Sequence, residues 1–242
     1  MDKKTSYYLL GLAVAVVGLV FCVWAYSSLP QNVITQWGFN GRHNYSDKSS
    51  ILWLGAMPLV LLGLLFWLNN SDPLMANASD DDRAIFGAMT LLVTIFLVAL
   101  DALVILVNSG MISDLIVPIS ALLSVFFLLL APLMKNLPRN WFFGFRTPWA
   151  LSSLDIWKKT HNMGAFLFAV TGLLGLATIA FQGSFALIVT IAMLLASAVS
   201  LVAYSYFLWQ VEKANEAYAN VAPVMAAKAK PRSKPVSRRG KK

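Results

Sequence analysis

The sequence predicts an all-α integral membrane protein with about six transmembrane helices, both termini cytoplasmic. It also predicts a structured outer loop after the first helix and an interfacial elbow between the fourth and fifth. Three observations carry this reading. Of 242 residues, 58% are hydrophobic and 12% charged, with mean hydropathy +0.68; a soluble domain carries about twice that share of charge. Apolar stretches recur at roughly the 20 residues that cross a hydrocarbon core. The basic residues divide unevenly between the segments joining those stretches. Helices are expected because an open sheet edge in lipid leaves backbone groups unpaired.

The spans are drawn at residues 8–27, 51–68, 84–107, 115–134, 161–181 and 185–209. Lys3 and Lys4 before the first span mimic a secretory signal. The apolar run is too long for one, however, and Trp24 and Tyr26 stand where small residues would precede cleavage. The expectation is an uncleaved helix. Aromatic residues gather at span ends (Tyr7, Tyr8, Trp24, Tyr26, Trp53, Trp67, Trp209), as interfacial anchors do. With the N-terminus inside, every one of the 19 Lys and Arg residues except Arg42 and Lys48 falls on the inner side. Both termini are therefore placed inside.

Four units follow. Residues 1–70 form a two-helix membrane domain with an outer loop at 28–50. Residues 71–110 hold the third span and its inner connector. Residues 111–212 form a second membrane domain containing an inner motif at 138–164, and 213–242 read as a basic, disordered cytoplasmic tail. The tail reads as a topology anchor or lipid contact rather than a nucleic-acid site. No direct nucleic-acid partner is expected. The lone Cys22 lies inside the first span, so an intramolecular disulfide or a cysteine metal cluster is excluded. No metal site or cofactor is expected.

The outer loop combines Pro30, Trp37, Phe39, Gly38 and Gly41, which suit a compact turn lying against the interface. His43, with Asn44 and Asp47 nearby, reads as a solvated side chain. The inner connector is denser: Arg146 sits among Trp141, Phe142, Phe143, Phe145 and Trp149, punctuated by Asn140, Gly144 and Pro148. A guanidinium there can stack on a ring or donate to carbonyls, carboxylate or phosphate. Ser152-x-x-Asp155 resembles a capping box that starts a helix near Ser153. On that helix Trp157 and His161 share a face at i,i+4, and Lys158 and Lys159 reach toward headgroups. His43 and His161 fall on opposite sides of the membrane, so they share no site, and no nucleophile elbow is present. The chain is read as non-enzymatic.

Asp101 is the one carboxylate well inside an apolar run, which marks it as a candidate for function. Thr94 and Ser124 are its candidate hydrogen-bond partners. It leaves a second reading open: a small ion- or proton-coupled transporter. Against it, the spans contain few polar residues and no paired Gly- or Pro-broken helices in corresponding halves.

Two stretches resemble the SdpI family, bacterial membrane proteins of immunity to a secreted peptide toxin. The inner one comprises Pro138, Asn140, Trp141-Phe142, Gly144 through Trp149, Leu151-Ser152 and Trp157 through His161. The outer one, similar to an N-terminal accessory domain often fused to such proteins, comprises Tyr26, Leu29-Pro30, Ile34, Thr35, Trp37, Gly41 and Lys48. It departs from the pattern at Gln36, where His is usual, and at Asn44, where Asp is usual. The resemblance implies a multi-pass protein of the bacterial plasma membrane that protects its cell from a membrane-active peptide. It also implies recruitment of a cytoplasmic transcriptional repressor. The motif residues it points to are Pro30, Trp37, Gly41, Asn140, Gly144, Arg146, Thr147, Pro148, Trp149, Trp157, Thr160 and His161, with Arg146, Trp149 and His161 expected to be essential. The oligomeric state is left open.

Overall fold

The computed structural model describes residues 2–37, 43–181 and 184–229 (side chains to residue 221). Seven α-helices follow one another: α1 (Lys3–Tyr26), α2 (Ser50–Ser71), α3 (Asp80–Asn108), α4 (Ile116–Lys135), α5 (Pro148–Ser152), α6 (Leu154–Thr178) and α7 (Phe185–Ala229). All except α5 are long and apolar enough to cross a membrane. Apolar side chains point outward along them, Val17 being 67% and Val199 70% exposed. Such faces suit lipid and not water.

Two groups of helices share the bundle. α1 packs against α2 and α3, α4 packs against α6 and α7, and α3 meets α4 between the groups. Without a hydrophobic driving force in lipid, close approach of small residues carries such packing. Gly172 of α6 lies so near α4 that an added Cβ would sit 2.6 Å from the Ser124 carbonyl oxygen. Most hydroxyls in the bundle bond to their own helix. Thr90, Thr94, Ser120, Ser124, Thr171, Thr190 and Ser197 each donate to the carbonyl four residues earlier. They are thereby satisfied without a polar path through the core.

Caps shift several span ends. Asp2 accepts from the Thr5 N–H at 2.7 Å, so α1 starts at Lys3, earlier than the apolar run. α3 starts at Asp80 because Ser79 and Asp82 form a reciprocal capping box. The sequence expects that device at Ser152 and Asp155 instead. There Thr147 and Pro148 open α5 first, which ends at Ser152, whose hydroxyl donates to the Trp149 carbonyl. Ser153 precedes α6 without a side-chain cap bond, and Asp155 pairs with Lys159 at 2.6 Å. The tail also differs. α7 continues past Trp209 as far as Ala229, through a stretch rich in the helix formers Ala, Glu and Lys. The disordered tail drawn from residue 213 therefore begins as helix, and residues 230–242 lie outside the described residues.

One end of the bundle holds both the start of α1 and the last part of α7. Lys3 bonds Asp81, Lys4 donates to Asn70, and Ser153 donates to Glu212. The opposite end carries strands rather than an irregular loop: β1 (Asn32–Trp37) pairs antiparallel with β2 (His43–Asp47), with an irregularity between Ile34 and Gln36. Val33 is fully buried against the cluster of Cys22, Ala25, Leu29, Ile51, Val104 and Ile105. Asn108 at the end of α3 acts as a substitute strand. It accepts from the Ile34 N–H at 2.6 Å and donates to the Ile34 carbonyl at 3.0 Å. Asn108→Ala should remove both bonds and cost about 2 kcal/mol. Faster hydrogen exchange at the Ile34 amide checks it, and unchanged protection would refute the anchor.

Candidate functional site

The connector between α4 and α6 is non-helical over residues 136–147, yet it lies against the bundle. Phe143 meets Phe86 of α3 edge-to-face at 4.5 Å, and Phe145 lies 5.9 Å from Phe168, about four turns into α6. Irregular backbone at such a depth must find partners for its polar groups within the protein. The motif's polar side chains supply them.

Asn140 is fully buried. Its side-chain oxygen accepts from the Phe142 and Phe143 N–H groups at 2.8 and 2.6 Å, while its amide donates to the Pro138 carbonyl. The exposed Arg146 guanidinium donates to the Trp141 carbonyl. Thr147 caps α5 by accepting from the Ala150 N–H, and its hydroxyl lies 2.9 Å from that of Ser205 on α7. Pro148 fills the first turn of α5, where its missing N–H costs nothing. Trp149 packs edge-to-face on Tyr206 of α7 at 5.0 Å. Arg146 thus serves as a donor to backbone; the cation–ring pairs among the described residues involve Lys4, Lys48 and Lys213.

His161 closes the connector. It is fully buried, stacked on Trp157 at 4.0 Å, and uses both ring nitrogens. Nδ1 donates to the Trp157 carbonyl at 2.8 Å, and Nε2 accepts from the Phe145 N–H at 3.2 Å. These are the bonds of the neutral ring with its hydrogen on Nδ1. Trp157 in turn donates its indole N–H to the Leu137 carbonyl at 2.8 Å. Gly144 has φ +91°, and a Cβ there would run into His161 Nε2 and into Leu137 Cδ2. Thr160, also fully buried, has a hydroxyl without a hydrogen-bond partner.

The structure therefore brings Asn140, Gly144, Arg146, Thr147, Pro148, Trp149, Trp157, Thr160 and His161 into one assembly at the termini-bearing end. Pro30 and Trp37 lie at the other end. Pro30 is exposed between α1 and β1, and Trp37 stands at the end of β1 beside His43, 6.4 Å away. Gly41, with Gly38 and Phe39, lies outside the described residues. Gln36 and Asn44, the two departures from the resemblance, face each other across the hairpin, with the Asn44 amide donating to Gln36 at 2.8 Å. The departures are thus one pair. Asp47 beside them is held below the usual carboxylate range by bonds from Ser49.

Asp101 is 8% exposed in the hairpin-side half of α3, and its Oδ2 has no hydrogen-bond partner among the described residues. Thr94 and Ser124, expected as its partners, bond their own helices instead. Asp72 is the residue that sequence reasoning missed. It is 3% exposed, caps the short turn Pro73–Met75 through the Leu74 N–H, and accepts from the Trp141 N–H at 2.7 Å. It ties the α1–α3 group to the connector. Its one sequence signal is the Asp-Pro step, a turn mark.

A multi-pass helical bundle with a polar-clamped elbow between its fourth and fifth spans is the class the fold defines. The SdpI/YfhL protein family model matches residues 136–205, from the start of that elbow to Ser205 of α7. Over this segment the chain is similar to the SdpI/YfhL protein family. No curated protein and no solved structure matches the chain.

Proposed function

We propose that the protein is a non-catalytic bacterial plasma-membrane protein that confers immunity to a secreted membrane-active peptide. The observation that carries this reading is the family match over residues 136–205, which takes in the clamped elbow together with α6 and α7 as far as Ser205. In this reading both termini are cytoplasmic, as the charge distribution favours. The hairpin end meets the toxin, and the elbow holds the fold or recruits a cytoplasmic repressor. Arg146 suits the second task because its exposed guanidinium spends one donor on the Trp141 carbonyl and keeps others free.

The test is survival of a toxin-sensitive bacterium expressing the protein, wild type beside Arg146→Ala at matched membrane levels. Protection by wild type that falls at least about ten-fold in the variant is expected, the scale of a charge-assisted hydrogen bond. Equal protection by both would remove Arg146 from the function, and no protection by wild type would overturn the reading for that toxin.

A second reading rests on Asp101, a buried carboxylate with an unpartnered oxygen inside a span. A carboxylate so placed suits cation or proton coupling. That reading requires Asp101→Asn to abolish an ion flux while the protein still folds, and normal flux in the variant would end it.

A further inference from the structure

A cleft of about 480 Å³ opens at the termini-bearing end, between the end of α4, the connector and the start of α6. Lys135, Arg139 and Lys158 line it together with Asn136 and Asn162, and Asp82 is its one acidic residue. We propose that this cleft is a binding site for an anionic phosphate group, as carried by an acidic phospholipid headgroup.

Charge is the first argument. The two ion pairs among the described residues are Lys3–Asp81 and Lys159–Asp155. Among the described residues none of the three cleft cations has a carboxylate within 4 Å. Asp155, the acid nearest Lys158 in sequence, is already held by Lys159. Asp82 is engaged by the backbone N–H and hydroxyl of Ser79. Three cations thus converge on one cavity against one carboxylate, of which Oδ2 takes both Ser79 bonds. Such an arrangement repels itself until an anion enters.

Donor geometry is the second. Arg139 donates one guanidinium N–H to the Leu151 carbonyl at 3.2 Å, which orients the group and leaves its other N–H donors free. Lys135 and Lys158 are exposed and, among the described residues, make no hydrogen bond to another side chain or carbonyl, so each offers three donors. Phosphate oxygens suit a planar fork flanked by ammonium groups. Position is the third. The cleft sits where α4 ends and α6 begins, the level at which a helix leaves the hydrocarbon for the headgroups. Leu154, 56% exposed, lines the same cleft. A ligand with a phosphate and an apolar body would find both.

The test uses the full chain in nanodiscs of phosphatidylcholine, with and without increasing phosphatidylglycerol, read as the thermal unfolding midpoint. A saturable rise is expected for wild type and for Lys4→Gln/Lys213→Gln, which removes the same charge outside the cleft. Lys135→Gln/Lys158→Gln should lose the rise, and Lys135→Arg/Lys158→Arg should keep it, which separates lost charge from lost folding. Inorganic phosphate titrated into pure phosphatidylcholine discs distinguishes the source. A rise there that Lys135→Gln/Lys158→Gln abolishes, without a phosphatidylglycerol effect, assigns the site to a soluble phosphate. No rise with either ligand, or an equal rise in the cleft double mutant, overturns the proposal.

Discussion

Gly144→Ala should destabilise the protein by about 3 kcal/mol, the largest single effect expected on the elbow. Two causes add. The backbone at φ +91° is one that L side chains rarely adopt, and the new methyl would meet His161 Nε2 and Leu137 Cδ2, the latter at 2.9 Å. His161 cannot retreat without giving up its bonds to Trp157 and Phe145. Leu137 is fixed because Trp157 holds its carbonyl. Gly110 is the internal control. It has φ +74° but nothing within 4 Å of the added methyl, so Gly110→Ala should cost only about 1 kcal/mol. Thermal unfolding of both variants in one detergent measures the difference. Equal losses would mean that backbone conformation alone is at stake and that His161 is not packed as described.

The contrast shows which parts of this fold could be read beforehand. Span number follows from length and composition, because any twenty apolar residues must cross or be buried. The i,i+4 pairing of Trp157 and His161 follows from helix geometry alone. Donation by Arg146 to a backbone carbonyl was among the contacts its aromatic surroundings allowed, and one of its donors makes that contact with Trp141. What His161 accepts could not be read, since the Phe145 N–H reaches it from a segment with no periodicity. The hairpin was equally hidden. Its strands are six and five residues long, with no clean alternation. It is pinned by Asn108, which lies 74 positions from Ile34.

The misplaced capping box has a related cause. Ser152-x-x-Asp155 fits the pattern, but Ser152 already lies in the last turn of α5, the short helix opened by the Thr147 cap and Pro148. The helix expected near Ser153 does start there, with Ser153 at the N-cap of α6, and what is missing is the side-chain capping bond. At Ser79 and Asp82 that bond is present, and there the same pattern forms.

Asp72→Ala should then cost about 2 kcal/mol, less than Gly144→Ala but with a wider consequence. The carboxylate is 3% exposed and accepts from backbone on both sides, the Leu74 N–H at 2.8 Å and the Trp141 N–H at 2.7 Å. Removing it leaves Trp141 without its N–H partner, and Arg146 holds the carbonyl of that same residue. The two side chains therefore hold the two successive peptide units that meet at Trp141, one through its N–H and one through its carbonyl. Asp72→Asn keeps a single oxygen for two donors and should lie between wild type and Asp72→Ala. Amide exchange at Trp141 measures the loosening. The pair also separates structure from recognition. If immunity needs only the shape of the elbow, Asp72→Ala and Arg146→Ala should weaken protection alike at matched expression. The free donors on the exposed Arg146 favour the other result, partial loss in Asp72→Ala and full loss in Arg146→Ala. Full loss in both would reduce Arg146 to a brace for the Trp141 carbonyl.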